Sequence, residues 1–249
     1  MFRGKFKNKK VFIITGASRG IGRALSIEFA DNDSLLFLIA RSKINLEKVI
    51  KEIGQNACAK SISFDLREVR QLEKLMKDIF GQLDFKKIAS ISLINNAGII
   101  SPITPAGGFK LEDAVDNLKV NCIAPIILSD IFIRKTKDFK GKKIILNISS
   151  DAAKTPKEGL SLYCSSKSAV EMFSQCVSRE QGRYKYGVKI YTFSPGVVDT
   201  DMFSELTKKT KEDLPNVDGY LWLSNSGSLE HPEKVAKEIN RFIREKLDT

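Results

Sequence analysis

Short runs of apolar and β-branched residues alternate along the chain with longer stretches in which apolar positions return every third or fourth residue. The runs at 10–15, 35–40, 61–64, 91–95, 143–148 and 188–193 are too short for helices. Most lack polar alternation, which predicts strands buried on both faces. Between them, 21–32, 46–53, 69–80, 111–136 and 160–183 carry the helical period, with one apolar face each. Strands of this kind joined by helical crossovers pair in parallel. The expected fold is therefore α/β: a Rossmann-like, doubly wound parallel β-sheet of six or seven strands with helices on both faces. No linker, composition break or repeat interrupts the rhythm, so 1–249 reads as a single domain. The least regular stretch, 194–232, contains Pro195, Pro215 and Pro232. It follows the carboxyl end of the last strand, where doubly wound folds bind ligands, and is expected to form a substrate lid.

Composition narrows the function classes. The 249 residues are 42% apolar and 29% charged, with 41 Lys and Arg against 30 Asp and Glu, a net charge of +11. The lysines are scattered and form no stripe with interleaved aromatics, so no nucleic-acid partner is expected. A basic surface does help attract an anionic cofactor. No run approaches the roughly 20 apolar residues of a membrane span. The basic stretch Met1 to Lys10 precedes an apolar run too short for a signal peptide, so no membrane association and a cytoplasmic location are expected. Cys58, Cys122, Cys164 and Cys176 contain no CxxC pair and are expected as reduced thiols. His231 is the single histidine, which excludes multi-His zinc and iron sites within one chain. No metal is expected, and acid–base work falls to Tyr, Lys, Asp or Glu.

Three motifs carry chemistry. Thr15-Gly16-Ala17-Ser18-Arg19-Gly20-Ile21-Gly22 lies between the first strand and the first helix. Glycines there allow a tight turn and close approach to a diphosphate at the helix N-terminus. Arg41 follows the second strand with no Asp or Glu at positions 40–42. An arginine there accommodates a 2′-phosphate where an acidic residue would hold a ribose 2′-OH, which selects NADP(H). Arg19 is a second cation able to reach that phosphate, and guanidinium forks match phosphate oxygens. Tyr163 and Lys167 stand one helical turn apart in Tyr163-Cys164-Ser165-Ser166-Lys167, so phenol and ammonium can meet one ligand. Ser150 lies thirteen residues before Tyr163, after the fifth strand.

In ordered succession, residues 15–22, Asp65-Leu66, Asn95-Asn96-Ala97-Gly98, Asn121, Ser150, residues 163–167 and Pro195-Gly196-Val197-Val198-Asp199-Thr200 resemble the short-chain dehydrogenases/reductases in their single-domain form. The resemblance covers about residues 8–202. It implies that Gly16, Ser18, Arg19 and Ile21 line the diphosphate, with Gly20 and Gly22 in the same loop. Arg41 would hold the 2′-phosphate, Asp65 and Leu66 would flank the adenine, and Asn95 would border the ribose beside Ala97 and Gly98. Pro195, Gly196, Val198 and Thr200 would contact the nicotinamide side. Tyr163 would be the catalytic acid, Lys167 would bind the nicotinamide ribose and depress the Tyr163 pKa, and Ser150 would hold the substrate carbonyl oxygen. Asn121 would position a helix kink and a proton-relaying water. The implied partners are a small-molecule carbonyl substrate and a second copy of the chain, in a homodimer or homotetramer built on the helices at 111–136 and 160–183.

Within that family, residues 15–23, 40–42, 162–164 and 195–202 look like the sepiapterin reductase and benzil reductase branch. The resemblance departs at 245–249, where no acidic residue matches the strand-borne pterin anchor of sepiapterin reductases. The expectation is therefore NADPH-dependent reduction of a small ketone or α-dicarbonyl of the benzil or diketone type. The same residues could oxidise a secondary alcohol with NADP⁺, and a non-catalytic NADP-binding scaffold would keep the fold without turnover.

Overall fold

The computed structural model describes residues 8–248; the basic segment over 1–7 lies outside the described residues. Six strands form one sheet: β1 (Lys9–Thr15), β2 (Ser34–Ala40), β3 (Cys58–Ser63), β4 (Ile88–Asn95), β5 (Lys142–Ile148) and β6 (Lys189–Phe193). Every pairing is parallel, and the order is β3-β2-β1-β4-β5-β6. Among the described residues this sheet has six strands, the lower of the two expected numbers.

Strand alternation divides the core. Val11, Ile13, Phe37, Ile39, Leu93 and Ile145 point to one face. That face is covered by α3 (Leu72–Phe80), α5 (Ala124–Lys135) and α6 (Ser161–Gln181). Phe12, Ile14, Leu36, Leu38, Ile94 and Leu146 point to the other. Here α1 (Gly20–Glu28), α2 (Lys43–Ile53) and α9 (Pro232–Asp248) supply Leu25, Leu46, Val49, Ile239 and Ile243. Both faces of β1, β2, β4 and β5 are buried, which is why those strands read as apolar runs, while the edge strands β3 and β6 are mostly half-buried.

Two sequence expectations change. The helix expected over 111–136 is three pieces: α4 (Leu111–Leu118), a π-turn at Lys119–Ile123, and α5. Pro125 has no N–H to donate back into the preceding turn, so the ladder opens where it enters the helix. The stretch 194–232 is also less irregular than expected. It holds α7 (Asp201–Thr207) and α8 (Val217–Asn225), and its ends are joined by a Val198–Glu230 bridge. Phe203, Leu206, Leu214 and Val217 pack with Ile100, Leu160 and Tyr163 in a third apolar cluster outside the sheet.

The strand order reverses between β1 and β4. In doubly wound sheets, that switch point opens a crevice at the carboxyl ends of the strands.

Candidate active site

A cavity of about 1080 Å³ runs across this switch point, between the glycine loop and the helices of 194–232. The loop is fixed from the β4 side. The Thr15 hydroxyl accepts the N–H groups of Asn96 and Ala97, both at 3.1 Å, and the Asn96 amide donates to Thr15 O at 3.0 Å. Gly16 has φ +68°, and a Cβ there would lie 2.8 Å from Ala97 Cα. Gly22 sits so close to the loop that a Cβ would meet Gly16 O at 2.1 Å. Gly22 thus closes the helix onto the loop rather than facing the cavity. Gly16, Ser18, Arg19, Gly20 and Ile21 all line it, beside the unpaired N–H groups at the start of α1.

The far end is set by β2 and β3. Arg41 and Ser42 line the cavity. Arg41 lies on the surface, its carbonyl accepting the Ser63 hydroxyl at 2.9 Å. Ser42 caps α2 by accepting the Asn45 N–H at 3.3 Å. Arg19 is committed elsewhere: its guanidinium pairs with Asp201 at the start of α7 at 2.7 Å. Asp65 and Leu66 are at the cavity wall as expected, joined by Arg67, which motif reading did not find. Arg67 binds both Asp65 oxygens and reaches Asp116 of α4 at 2.8 Å. Those hydrogen bonds hold the Asp65 carboxyl below its usual range and raise the Arg67 guanidinium above its own.

Asn95 does not border the cavity. It is buried, donating to Asn147 Oδ1 at 2.8 Å and Ser129 Oγ at 3.3 Å, on the face opposite its neighbour. Successive strand side chains point to opposite faces, and here Asn96 takes the place on the loop side. Ala97 and Gly98 line the cavity, as do Pro195, Gly196, Val198 and Thr200.

A phenol, an ammonium and a hydroxyl converge at the middle. Tyr163 and Lys167 enter from α6, and Ser150 from the segment after β5. Burial pushes the Tyr163 phenol up to about 12, against a partial downward pull from the Ser150 hydroxyl beside it. Lys167 is buried and drawn down to about 8 by loss of water; its ammonium donates to Ile148 O at 2.8 Å. Lys167 stands 5.7 Å from the Tyr163 ring centroid, with its ammonium directed at the Ile148 carbonyl. Asn121 lies in the π-turn, where a kink was expected. Its amide accepts the Ile99 N–H at 2.9 Å and donates to Ile99 O at 2.7 Å, stitching the turn to the loop after β4. It is buried and lies next to, not in, the cavity wall.

Beyond Tyr163 the wall becomes apolar. Ile100, Leu160, Phe203, Leu206, Tyr220 and Leu223 line it, and Trp222 stands 65% exposed at its rim. Phe203 and Tyr220 meet edge to face at 6.2 Å. The arrangement has an end lined by the glycine loop and Arg41 and an apolar end, with a hydroxyl, a phenol and an ammonium between them.

The chain is similar to known proteins over most of its length. The family model described as short chain dehydrogenase matches residues 10–211. A benzil reductase ((S)-benzoin forming) of Bacillus cereus is 38% identical over 232 residues, covering 93% of this chain and 92% of its own. A sepiapterin reductase of Meriones unguiculatus is 30% identical over 213 residues, covering 82% and 79%. Among solved structures, the KRED1-Pglu enzyme superposes with a TM-score of 0.78 at 26% identity, covering 92% of each chain.

Proposed function

Because the chain belongs to the short-chain dehydrogenase/reductase family of oxidoreductases, we propose that it is an NADPH-dependent carbonyl reductase whose substrate is a benzil-like α-dicarbonyl. One observation carries this reading: Ser150 and Tyr163 face the same cavity between the glycine loop and an apolar pocket.

The residues present fit a phosphorylated dinucleotide. The glycine loop and the α1 N-terminus offer N–H donors to a diphosphate. Arg41, with Ser42 and Asn45 beside it, offers a cationic seat for a 2′-phosphate, with no carboxylate at 40–42 for a free ribose hydroxyl. When bound, the nicotinamide supplies hydride. Ser150 donates to the carbonyl oxygen, and Tyr163 delivers a proton to it as negative charge develops. A phenol whose pKa stands near 12 holds its proton throughout the neutral range, which supports reduction over alcohol oxidation. The apolar wall suits aryl or alkyl groups flanking the carbonyl. Leu111, Val115 and Leu118 of α4, Ile127 of α5 and Met172 of α6 are exposed apolar positions. They would supply the pairing face of a homodimer or homotetramer.

The test is cofactor consumption with NADPH and with NADH across benzil, aliphatic diketones, sepiapterin and simple monoketones. NADPH oxidation is expected with benzil ahead of any monoketone. Faster turnover of monoketones would overturn the dicarbonyl assignment, and tight NADPH binding without turnover would favour a scaffold.

A pH profile is a separate check. Lys167 keeps its proton below about 8 and loses it above, so NADPH-driven reduction is expected to fall as pH rises through about 8. Stability should move the other way. Between about 8 and the ordinary value of 10.5, the unfolded chain binds more protons than the folded one, so this group makes folding more favourable as pH rises. A rate loss above pH 8 with unchanged or higher melting temperature is the expected pair.

A further inference from the structure

The segment carrying Ser150 is held against α6 by three side-chain hydrogen bonds. Lys167 Nζ donates to Ile148 O at 2.8 Å, the Ser149 hydroxyl donates to Glu171 Oε1 at 2.8 Å, and the Ser168 hydroxyl donates to Ala153 O at 2.6 Å. Lys167 and Glu171 are one turn apart on α6 and grip adjacent residues, 148 and 149. The catalytic reading uses Lys167 but leaves Glu171 without a role.

Glu171 is an unusual residue to find there. It is 7% exposed, and Ser149 is 4% exposed. A carboxylate so placed is costly unless its oxygens are paired. One oxygen takes the Ser149 hydroxyl, and the other has the Lys154 ammonium at 3.9 Å. Ser149 is held through its backbone as well, donating its N–H to Phe193 O at 2.8 Å. Ser150 comes next in the chain. Neighbouring side chains in extended backbone face opposite ways, and Ser150 is extended at φ −160° and ψ 155°. Both serines reach the cavity wall, but the Ser149 hydroxyl is turned onto Glu171 of α6, and that anchor sets the direction in which the Ser150 side chain leaves.

We propose that Glu171 is a positioning residue for the reaction: through Ser149 it holds the 149–150 backbone so that the Ser150 hydroxyl stays aligned beside Tyr163. This rests on the reading of Ser150 as donor to the substrate oxygen. Glu171 acts only through Ser149 and touches neither substrate nor cofactor.

The experiment compares Glu171→Ala, Glu171→Gln, Ser150→Ala and the double variant Glu171→Ala/Ser150→Ala, using NADPH and benzil. NADPH binding by fluorescence and thermal unfolding are measured alongside. Glu171→Ala is expected to lower kcat about ten-fold, since small misplacements of a reacting group are costly, while NADPH affinity stays unchanged. Glu171→Gln keeps an oxygen to accept the Ser149 hydroxyl and should retain most of the turnover. In the Ser150→Ala background, Glu171→Ala should cost nothing further, because a residue that acts through Ser150 has nothing left to position. An equal loss in both backgrounds, or wild-type kcat in Glu171→Ala while Ser150→Ala is slow, would overturn the positioning role alone. Wild-type turnover by Ser150→Ala would overturn the Ser150 assignment and the positioning role with it. If Glu171→Ala does not fold, Ser149→Ala removes the same hydrogen bond and should give the same loss of kcat.

Discussion

Arg41→Ala is expected to reduce the preference for NADPH over NADH, measured as the ratio of kcat/KM values, by about thirty-fold. The number follows from removing charge-assisted hydrogen bonds to a phosphate at an exposed site, worth about 2 kcal/mol once solvent screening is allowed for. Nearly all the loss should fall on NADPH, because NADH has no group at that place. Added salt should narrow the gap between wild type and variant, since exposed charges are screened. Arg19, the second cation considered for the same phosphate, has its guanidinium paired with Asp201 at 2.7 Å. It would have to give up that bond to help. An unchanged cofactor ratio in Arg41→Ala would mean that Arg19 makes the exchange, and Arg19→Ala would then carry the effect instead.

The contrast between Arg41 and Arg19 shows what a sequence can reveal about such a site. Placements that depend on local spacing were legible. The glycine loop is one turn between a strand and a helix, Tyr163 and Lys167 share a helix face, and Ser150 follows the end of a strand. Those positions follow from chain order and helical period, whereas the roles assigned to them rest on the family resemblance. Pairings across long chain separations were not. Arg67 is bound to Asp116 across 49 positions and Arg19 to Asp201 across 182, and no pattern in the chain announces either.

Asn95 failed for a finer reason. The motif there contains two adjacent asparagines, and a one-residue difference in a strand exchanges the two faces. Family resemblance alone put the ribose contact on the first. In the fold it joins Asn147 and Ser129 in the core, while Asn96 ties down the glycine loop. The break at Lys119–Ile123 had a local signal in Pro125, but it entered the expectation only through the family resemblance, as a kink at Asn121. The helices α7 and α8 were harder still. Their apolar residues pack on Leu160 and Ile100 rather than on the sheet, so their placement depends on a surface that exists only after the rest has folded. Thr200, accepting the Phe203 N–H at 3.4 Å, was a capping cue for α7.

The largest single effect is expected for Tyr163→Phe: turnover of benzil lowered about a thousand-fold, as general-acid removal generally costs, with NADPH affinity within about two-fold of wild type. The substitution deletes one oxygen and keeps the ring, so the packing of Tyr163 against Leu160, Phe203 and Leu214 in the third cluster survives. Tyr163 is only 7% exposed, and Ser150 beside the phenol is anchored independently of it, its hydroxyl accepting the Ala152 N–H at 3.2 Å. Folding should therefore be little affected, and the melting temperature serves as the control. The loss should fall on kcat rather than KM, because the proton matters only as charge develops on the substrate oxygen. It should also be insensitive to pH between about 6 and 8, since a phenol near 12 does not titrate there. Proton delivery by water or by Lys167 would instead leave Tyr163→Phe close to wild-type turnover, and that result would remove the phenol from the reaction while leaving the cofactor site intact.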